Sequence, residues 1–106
     1  MQLNIRFKGM DSTEAIRDYF EDRIGKLKKH LPANTVMNVS LAKQKITGDA
    51  EVNFYFNNKN IVATESSEDL YSAIDLVVDK VARQVSRAKG RARERTSNTI
   101  RDVPSS

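Results

Sequence analysis

The stretch from Ser66 to Arg95, SSEDLYSAIDLVVDKVARQVSRAKGRARER, can settle only as a helix with one face on something apolar. Leu70, Ile74, Val77, Val81, Val85 and Ala88 recur at intervals of four, three, four, four and three. At about 100° per residue they fall within roughly 40° of one line, the stripe of a helix packed on a core. Ser66 or Ser67 is placed to accept from the first free N–H groups, and Glu68 and Asp69 suit the positive end of the helix dipole. Lys80, Arg83, Arg87 and Arg91 follow at three, four and four on a far flank.

A charged stripe opposite an apolar one is ordinarily a solvated face, and cations near a helix C-terminus complement the dipole without a partner. The balance along the chain goes further. Beyond Asp79 there are eight Lys and Arg against two acids, whereas residues 1–79 carry ten against twelve. Helix solubility does not require that asymmetry. A polyanionic partner would use it.

A helix of this kind needs a sheet or other helices beneath it, and 106 residues suffice for one domain with a modest core. With 39% apolar and 30% charged residues, the composition is that of a small soluble protein. There is no cysteine, so disulfide and thiolate chemistry are excluded. The opening MQLNIRFKGMDS has no apolar run like that of a signal peptide, and no stretch approaches a membrane span, so a cytoplasmic protein with no membrane partner is expected.

Gln2–Lys8 alternates, with Leu3, Ile5 and Phe7 on one side, as a half-buried strand does. Asp11-Ser12-Thr13-Glu14 resembles a capping box with Asp11 or Ser12 as the cap. Ile16, Phe20, Ile24, Leu27 and Leu31 then trace a helix to about His30, before Pro32. Gly25 inside it costs about 1 kcal/mol against alanine and is a candidate for close packing. Arg23, Lys26, Lys28 and Lys29 make a second basic cluster at its end.

Met37, Val39 and Leu41 mark a second strand, and Val52, Phe54 and Phe56 a third, with a turn at Thr47-Gly48-Asp49. Asn57–Asn60 is another turn, and Ile61–Glu65 a short fourth strand whose inward face the pattern does not assign. Thr96–Ser106 is polar and aperiodic, as a flexible tail is. The order β-α-β-β-β-α predicts an α+β fold: a four-stranded mixed sheet, the first two strands parallel, with both helices on one face. The domain spans 1–95 and the tail 96–106.

Catalytic patterns are missing. His30 is the only histidine, stands among lysines and has no cysteine near it, so no metal site is expected. The four glycines are scattered, with no phosphate-binding loop, and no histidine base stands by a serine. Glu14, Asp18, Glu21 and Asp22 read as ordinary intrahelical pairing. Tyr55, opposite in phase to Phe54 and Phe56, falls on the outer face, where a half-buried structural role competes with stacking on a base. No enzyme, cofactor or small-molecule substrate is expected.

Glu68-Asp69-Leu70-Tyr71-Ser72-Ala73-Ile74-Asp75, with Asp79-Lys80-Val81 and Arg83-Gln84-Val85, resembles the final-helix signature of the ribosome hibernation promoting factor family, which includes the ribosome-associated inhibitor or sigma-54 modulation protein. Met1-Gln2-Leu3-Asn4-Ile5, Thr13–Tyr19 and Lys26-Leu27 resemble the family's first strand and helix, so the likeness covers residues 1 to about 95.

The resemblance implies a fold like double-stranded-RNA-binding domains. It also implies a translation inhibitor of stress and stationary phase, monomeric off the ribosome. Such a protein binds the small ribosomal subunit and its rRNA at the decoding region and blocks messenger and transfer RNA. Carried over by position, the rRNA-binding residues are Lys80, Arg83, Arg87, Lys89 and Arg91, with Lys26 and Lys29 on the first helix. The chain stops short of the dimerising domain of longer members, and its extension lacks the acidic end of the forms that hold single ribosomes idle. Whether it promotes ribosome pairing or opposes it stays open. The competing reading is a general double-stranded-RNA-binding module, with an enzyme third.

Overall fold

A computed structural model describes residues 1–97, with side chains described for 1–89. The elements are β1 (Gln2–Lys8), α1 (Glu14–Gly25), a 3-10 turn (Lys28–His30), β2 (Val36–Lys43), β3 (Gly48–Phe56), β4 (Lys59–Ser67) and α2 (Leu70–Ser97). The strands lie in the order β1-β2-β3-β4, with β1 and β2 parallel and the other neighbours antiparallel. This is the mixed sheet that the sequence predicts.

One face of the sheet carries Met37, Val39 and Leu41 of β2, Val52, Phe54 and Phe56 of β3, and Ile61 and Ala63 of β4. These join Ile16, Phe20 and Ile24 of α1 and Leu70, Ile74, Val77, Val81 and Val85 of α2 in a single core. Both helices thus cover the same face. Phe20, Ile24, Ile74, Val77 and Val81 have no exposed surface, so the stripe read from α2 is the stripe that is buried.

The opposite face is uncovered by any described element, and its residues line up by register. Asn4, Asn38, Asn53 and Val62 form one row across the four strands. Arg6, Ser40, Glu51 and Thr64 form the next, and Lys8, Ala42, Asp49 and Ser66 the last in that direction. On the other side of the asparagine row stand Gln2, opposite Val36, and Tyr55, opposite Asn60. Asn4 donates to Asn38 at 3.2 Å and Gln2 to Asn4 at 3.2 Å, so side-chain amides tie the rows together.

Several boundaries differ from the sequence reading, each for a local reason. Thr13, not Asp11 or Ser12, caps α1: its hydroxyl accepts from Ile16 N–H at 3.1 Å, and its backbone is extended. The third position after this cap is Ile16 rather than Glu, so the reciprocal half of a capping box cannot form. The helix ends at Gly25 instead of near His30, and the chain continues through the 3-10 turn. A Cβ at Gly25 would meet nothing within 4 Å, so this glycine does not serve close packing.

Ser66 and Ser67 belong to β4, paired with Asp49 and Gly48, and Asp69 caps α2 instead. Its Oδ1 accepts from Ser72 N–H at 2.9 Å, and its carbonyl accepts from Ala73 N–H at 3.1 Å. Gly48 is the first residue of β3, with Asp49 the second, so the turn lies before them, and Gly48 is buried against the start of α2. The turn expected over Asn57–Asn60 is confined to Asn57 and Asn58, both at positive φ (53° and 63°) as a tight hairpin requires, and Lys59 and Asn60 belong to β4. The tail expected over 96–106 begins inside α2, whose last residues are Thr96 and Ser97; the remainder lies outside the described residues.

Candidate nucleic-acid interface

The two helices run side by side in the same direction. Tyr19 of α1 reaches Asp75 of α2, its hydroxyl donating at 2.8 Å to Oδ1, and further along Lys89 of α2 lies 3.3 Å from His30 Nδ1. Both helices therefore point their C-termini toward one end of the molecule, α1 stopping at Gly25 and α2 running on to Ser97, and the α1 dipole favours cations just after its last turn. Lys26, Lys28 and Lys29 stand there, with Arg83, Arg87 and Lys89 on α2. Glu14 and Asp18 of α1, with Glu68, Asp69 and Asp75 on and before α2, lie toward the other end. The asymmetry read along the chain is thus an asymmetry in space.

Not every cation at the helices is available to a partner. Arg23 donates from Nη2 to the Tyr19 hydroxyl at 3.0 Å, and its Nε lies 3.1 Å from Asp75 Oδ1 without the angle of a hydrogen bond. Its guanidinium sits 5.0 Å from the centre of the Tyr19 ring, and Tyr71 meets that ring edge-on at 4.9 Å. The hydrogen bond to Tyr19, then the charge of Asp75, raise the Arg23 pKa further above its ordinary value. Arg23 thus fastens α1 to α2 and leaves the basic cluster in which the sequence placed it.

Lys80 is also engaged. Its ammonium lies 3.2 Å from Glu65 and donates to the Thr64 carbonyl at 3.3 Å, while Gln84 donates to the Val62 carbonyl at 2.9 Å. These contacts fix the flank of α2 that holds Lys80, Arg83 and Arg87 along the outer edge of β4. Arg83 and Arg87 are exposed, as are Lys26, Lys28 and Lys29, and among the described residues none of the five has an ion-pair partner.

The predicted site therefore divides. Arg83 and Arg87 lie on the β4 flank beside Lys80, whereas Lys89 faces the other way, toward His30 and the lysines after α1. Arg91 is on α2, but its side chain lies outside the described residues. Lys28 and Lys59, exposed at the same end, belong with the candidates. The Lys26-Leu27-Lys28-Lys29 run gave a signal for the first, but nothing in the turn sequence marked the second.

The acids of α1 do not pair within their helix. Among the described residues the ion pairs are Arg23–Asp75 and Lys80–Glu65, both between elements. No group of three or more His, Asp or Glu side chains that could hold a metal occurs among the described residues. No helix there is long and apolar enough to cross a membrane. What the arrangement offers is a set of exposed guanidinium and ammonium groups without ion-pair partners among the described residues, suited to phosphates.

The family described as sigma 54 modulation protein / S30EA ribosomal protein matches residues 3–93. The chain belongs to that family. Relatives called ribosome hibernation promoting factor include one from Azotobacter vinelandii, 36% identical over 90% of this chain and 89% of the relative. Another, from Escherichia coli K12, is 31% identical over 89% of this chain and 99% of the relative. Among solved structures, the N-terminal domain of Thermus thermophilus Protein Y superposes with a TM-score of 0.76 at 28% identity, covering 83% of this chain and 99% of that one. The family match takes in both helices and all four strands.

Proposed function

We propose that this protein is a ribosome hibernation factor of the cytoplasm. In this reading residues 1–95 bind the small ribosomal subunit at its decoding region and block messenger and transfer RNA. The observation that carries the reading is the cationic surface just beyond the end of α1 and along the middle of α2. There Arg83, Arg87, Lys26, Lys28 and Lys29 stand exposed without an ion-pair partner among the described residues. The names of the relatives support a ribosomal partner.

Arg83, Arg87, Lys89 and Arg91, with Lys26 and Lys29, take rRNA phosphates in this proposal, and Lys80 joins them by exchanging Glu65 for a phosphate. Phosphate contacts position a protein without reading sequence, so recognition rests on the shape of the RNA groove. The mechanism is occlusion: a compact cationic body fills an anionic channel, and no bond is made or broken.

Order of addition tests it. Mixed with empty ribosomes before messenger and initiator transfer RNA, the protein suppresses translation; added after a stable complex forms, it does much less. Excess substrate relieves the block, and the ribosomal RNA stays intact. Equal inhibition in both orders defeats occlusion. Equal affinity for isolated small subunits and for generic duplex RNA would favour a general duplex-binding module instead.

A further inference from the structure

The uncovered sheet face changes character along the strands. Every charged residue in its register rows, Arg6 with Glu51 and Lys8 with Asp49, lies on the side away from the β3–β4 turn. The half nearer the turn holds amides and three exposed apolar side chains: Tyr55 at 73%, Val36 at 46% and Val62 at 43%. Val36 and Tyr55 each stand two residues beyond the Asn38–Asn53 pair, which puts them on neighbouring strands at the same level.

This neutral half borders the cationic flank of α2. Gln84 bonds to the carbonyl of Val62, and Lys80 to that of Thr64, so α2 runs along the β4 edge toward the β3–β4 turn. Arg87, about 4.5 Å beyond Gln84 along the helix, comes nearly level with Ile61, one residue short of Asn60, the strand partner of Tyr55. Only β4 separates Tyr55 from that edge, a strand spacing of about 4.8 Å. Lys59, one residue nearer the turn and in phase with Ile61 on the helix side of the sheet, adds a further exposed cation.

We propose that this lip of the sheet binds an unpaired stretch of RNA, with phosphates on Arg83, Arg87 and Lys59 and a base stacked on the Tyr55 ring. A duplex shows only its backbone and groove edges, so it could use the cations but not the ring. An unpaired strand has free base faces, and stacking on aromatic side chains tolerates any sequence. The absence of charge around Tyr55 suits bases; on the other half Glu51 and Asp49, next to the β4 edge on β3, would repel phosphates there, while Arg6 and Lys8 stand two strands farther away on β1. The inference rests on the reading of α2 as an RNA-binding flank and adds that the RNA met at the β4 edge is single-stranded.

The probes are single-stranded decaadenylate, an RNA duplex of the same length, and an abasic ribose-phosphate strand of that length. Affinities are measured by competition at low salt. The wild-type protein should prefer decaadenylate to the abasic strand, and Tyr55→Ala should weaken decaadenylate binding by roughly 5- to 100-fold. Tyr55→Phe keeps the ring and should restore it, and duplex affinity should not change in either variant. Tyr55 is largely exposed, so circular dichroism should show both variants folded.

Equal binding of the abasic and base-bearing strands by the wild type overturns the proposal without any variant, as does a Tyr55→Ala protein that binds decaadenylate normally. Arg83→Glu with Arg87→Glu, tested on isolated small subunits, separates the two readings. If that variant loses subunit binding while Tyr55→Ala leaves decaadenylate binding untouched, only the stacking site falls. If it keeps subunit binding, the cationic flank falls, and the stacking site with it.

Discussion

Gly48→Ala should destabilise this protein through the seat of α2, although the position reads in the sequence as an ordinary turn glycine. A Cβ there would stand 2.6 Å from both the Cα and the N of Leu70 and 3.0 Å from Asp69 C, where ordinary contact begins at 3.4 Å. These are backbone atoms, so no rotamer change relieves the clash. The first turn of α2 must retreat by about 0.8 Å or β3 must bend, and Leu70, Ala73 and Ile74, all buried, move with the helix.

Overpacking of this kind costs about 1–3 kcal/mol. For a domain of this size that lowers Tm by roughly 4–20 °C. The control is Gly25→Ala, where a Cβ meets nothing within 4 Å at the end of α1. It should stabilise by about 0.4–1 kcal/mol, by restricting the unfolded chain. Urea unfolding followed by circular dichroism reads both, with the slope m expected to stay constant. A Gly48→Ala protein within about 0.5 kcal/mol of wild type would refute the close-approach argument.

Arg83→Glu with Arg87→Glu should abolish sedimentation with small subunits while changing stability by only about 0.5 kcal/mol. Val81→Asp should do the reverse, unfolding the protein by putting a carboxylate where no surface is exposed; urea melts and sedimentation distinguish the two. If about five phosphates are neutralised, affinity for small subunits should fall by about three to five powers of ten per tenfold rise in salt, and salt-insensitive binding would indicate an apolar interface instead. Acid should loosen the start of α2. The Ser72 backbone N–H holds the Asp69 carboxyl below its ordinary range, and the Ser66 hydroxyl, then the Gln44 amide, do the same for Asp49. Both contributions are present at neutral pH and fade as pH falls below the unfolded value of about 3.9. Asp69→Asn and Asp49→Asn should each flatten the pH dependence of the urea midpoint in that window.

The fold was legible where a single periodicity decided the matter. Leu70, Ile74, Val77, Val81 and Val85 could face the core in only one way, and Leu3, Ile5 and Phe7 could alternate in only one way. β4 was not legible, because Ile61 and Ala63 face inward while Val62 and Thr64, equally good strand residues, face outward. The caps failed for a related reason. Asp11, Ser12 and Thr13 are all competent caps, as are Ser66, Ser67 and Asp69, and only the closing geometry selects among them.

At the site, the basic stripe of α2 was visible as a stripe, but its division was not. Arg23 meets Asp75 across elements far apart in the chain, and Lys80 meets Glu65 of the preceding strand, fifteen residues back; local spacing carries no trace of either partner. The Gly48 contact is equally hidden: the sequence shows a glycine, but not the helix resting on it.

The bonds from Lys80 and Gln84 to the Thr64 and Val62 carbonyls reach beyond the site they frame. An outermost strand with idle carbonyls is a template on which other chains can polymerise. On β4 these two carbonyls are already taken, so a foreign strand would have to displace side chains rooted in a buried helix. The opposite border, β1, is open but alternates outward-facing Arg6 and Lys8, which repel the same border of a second copy. The sheet is thus closed to growth on one side by competition and discouraged on the other by charge. A domain built this way should stay dispersed when a cell accumulates it to high concentration.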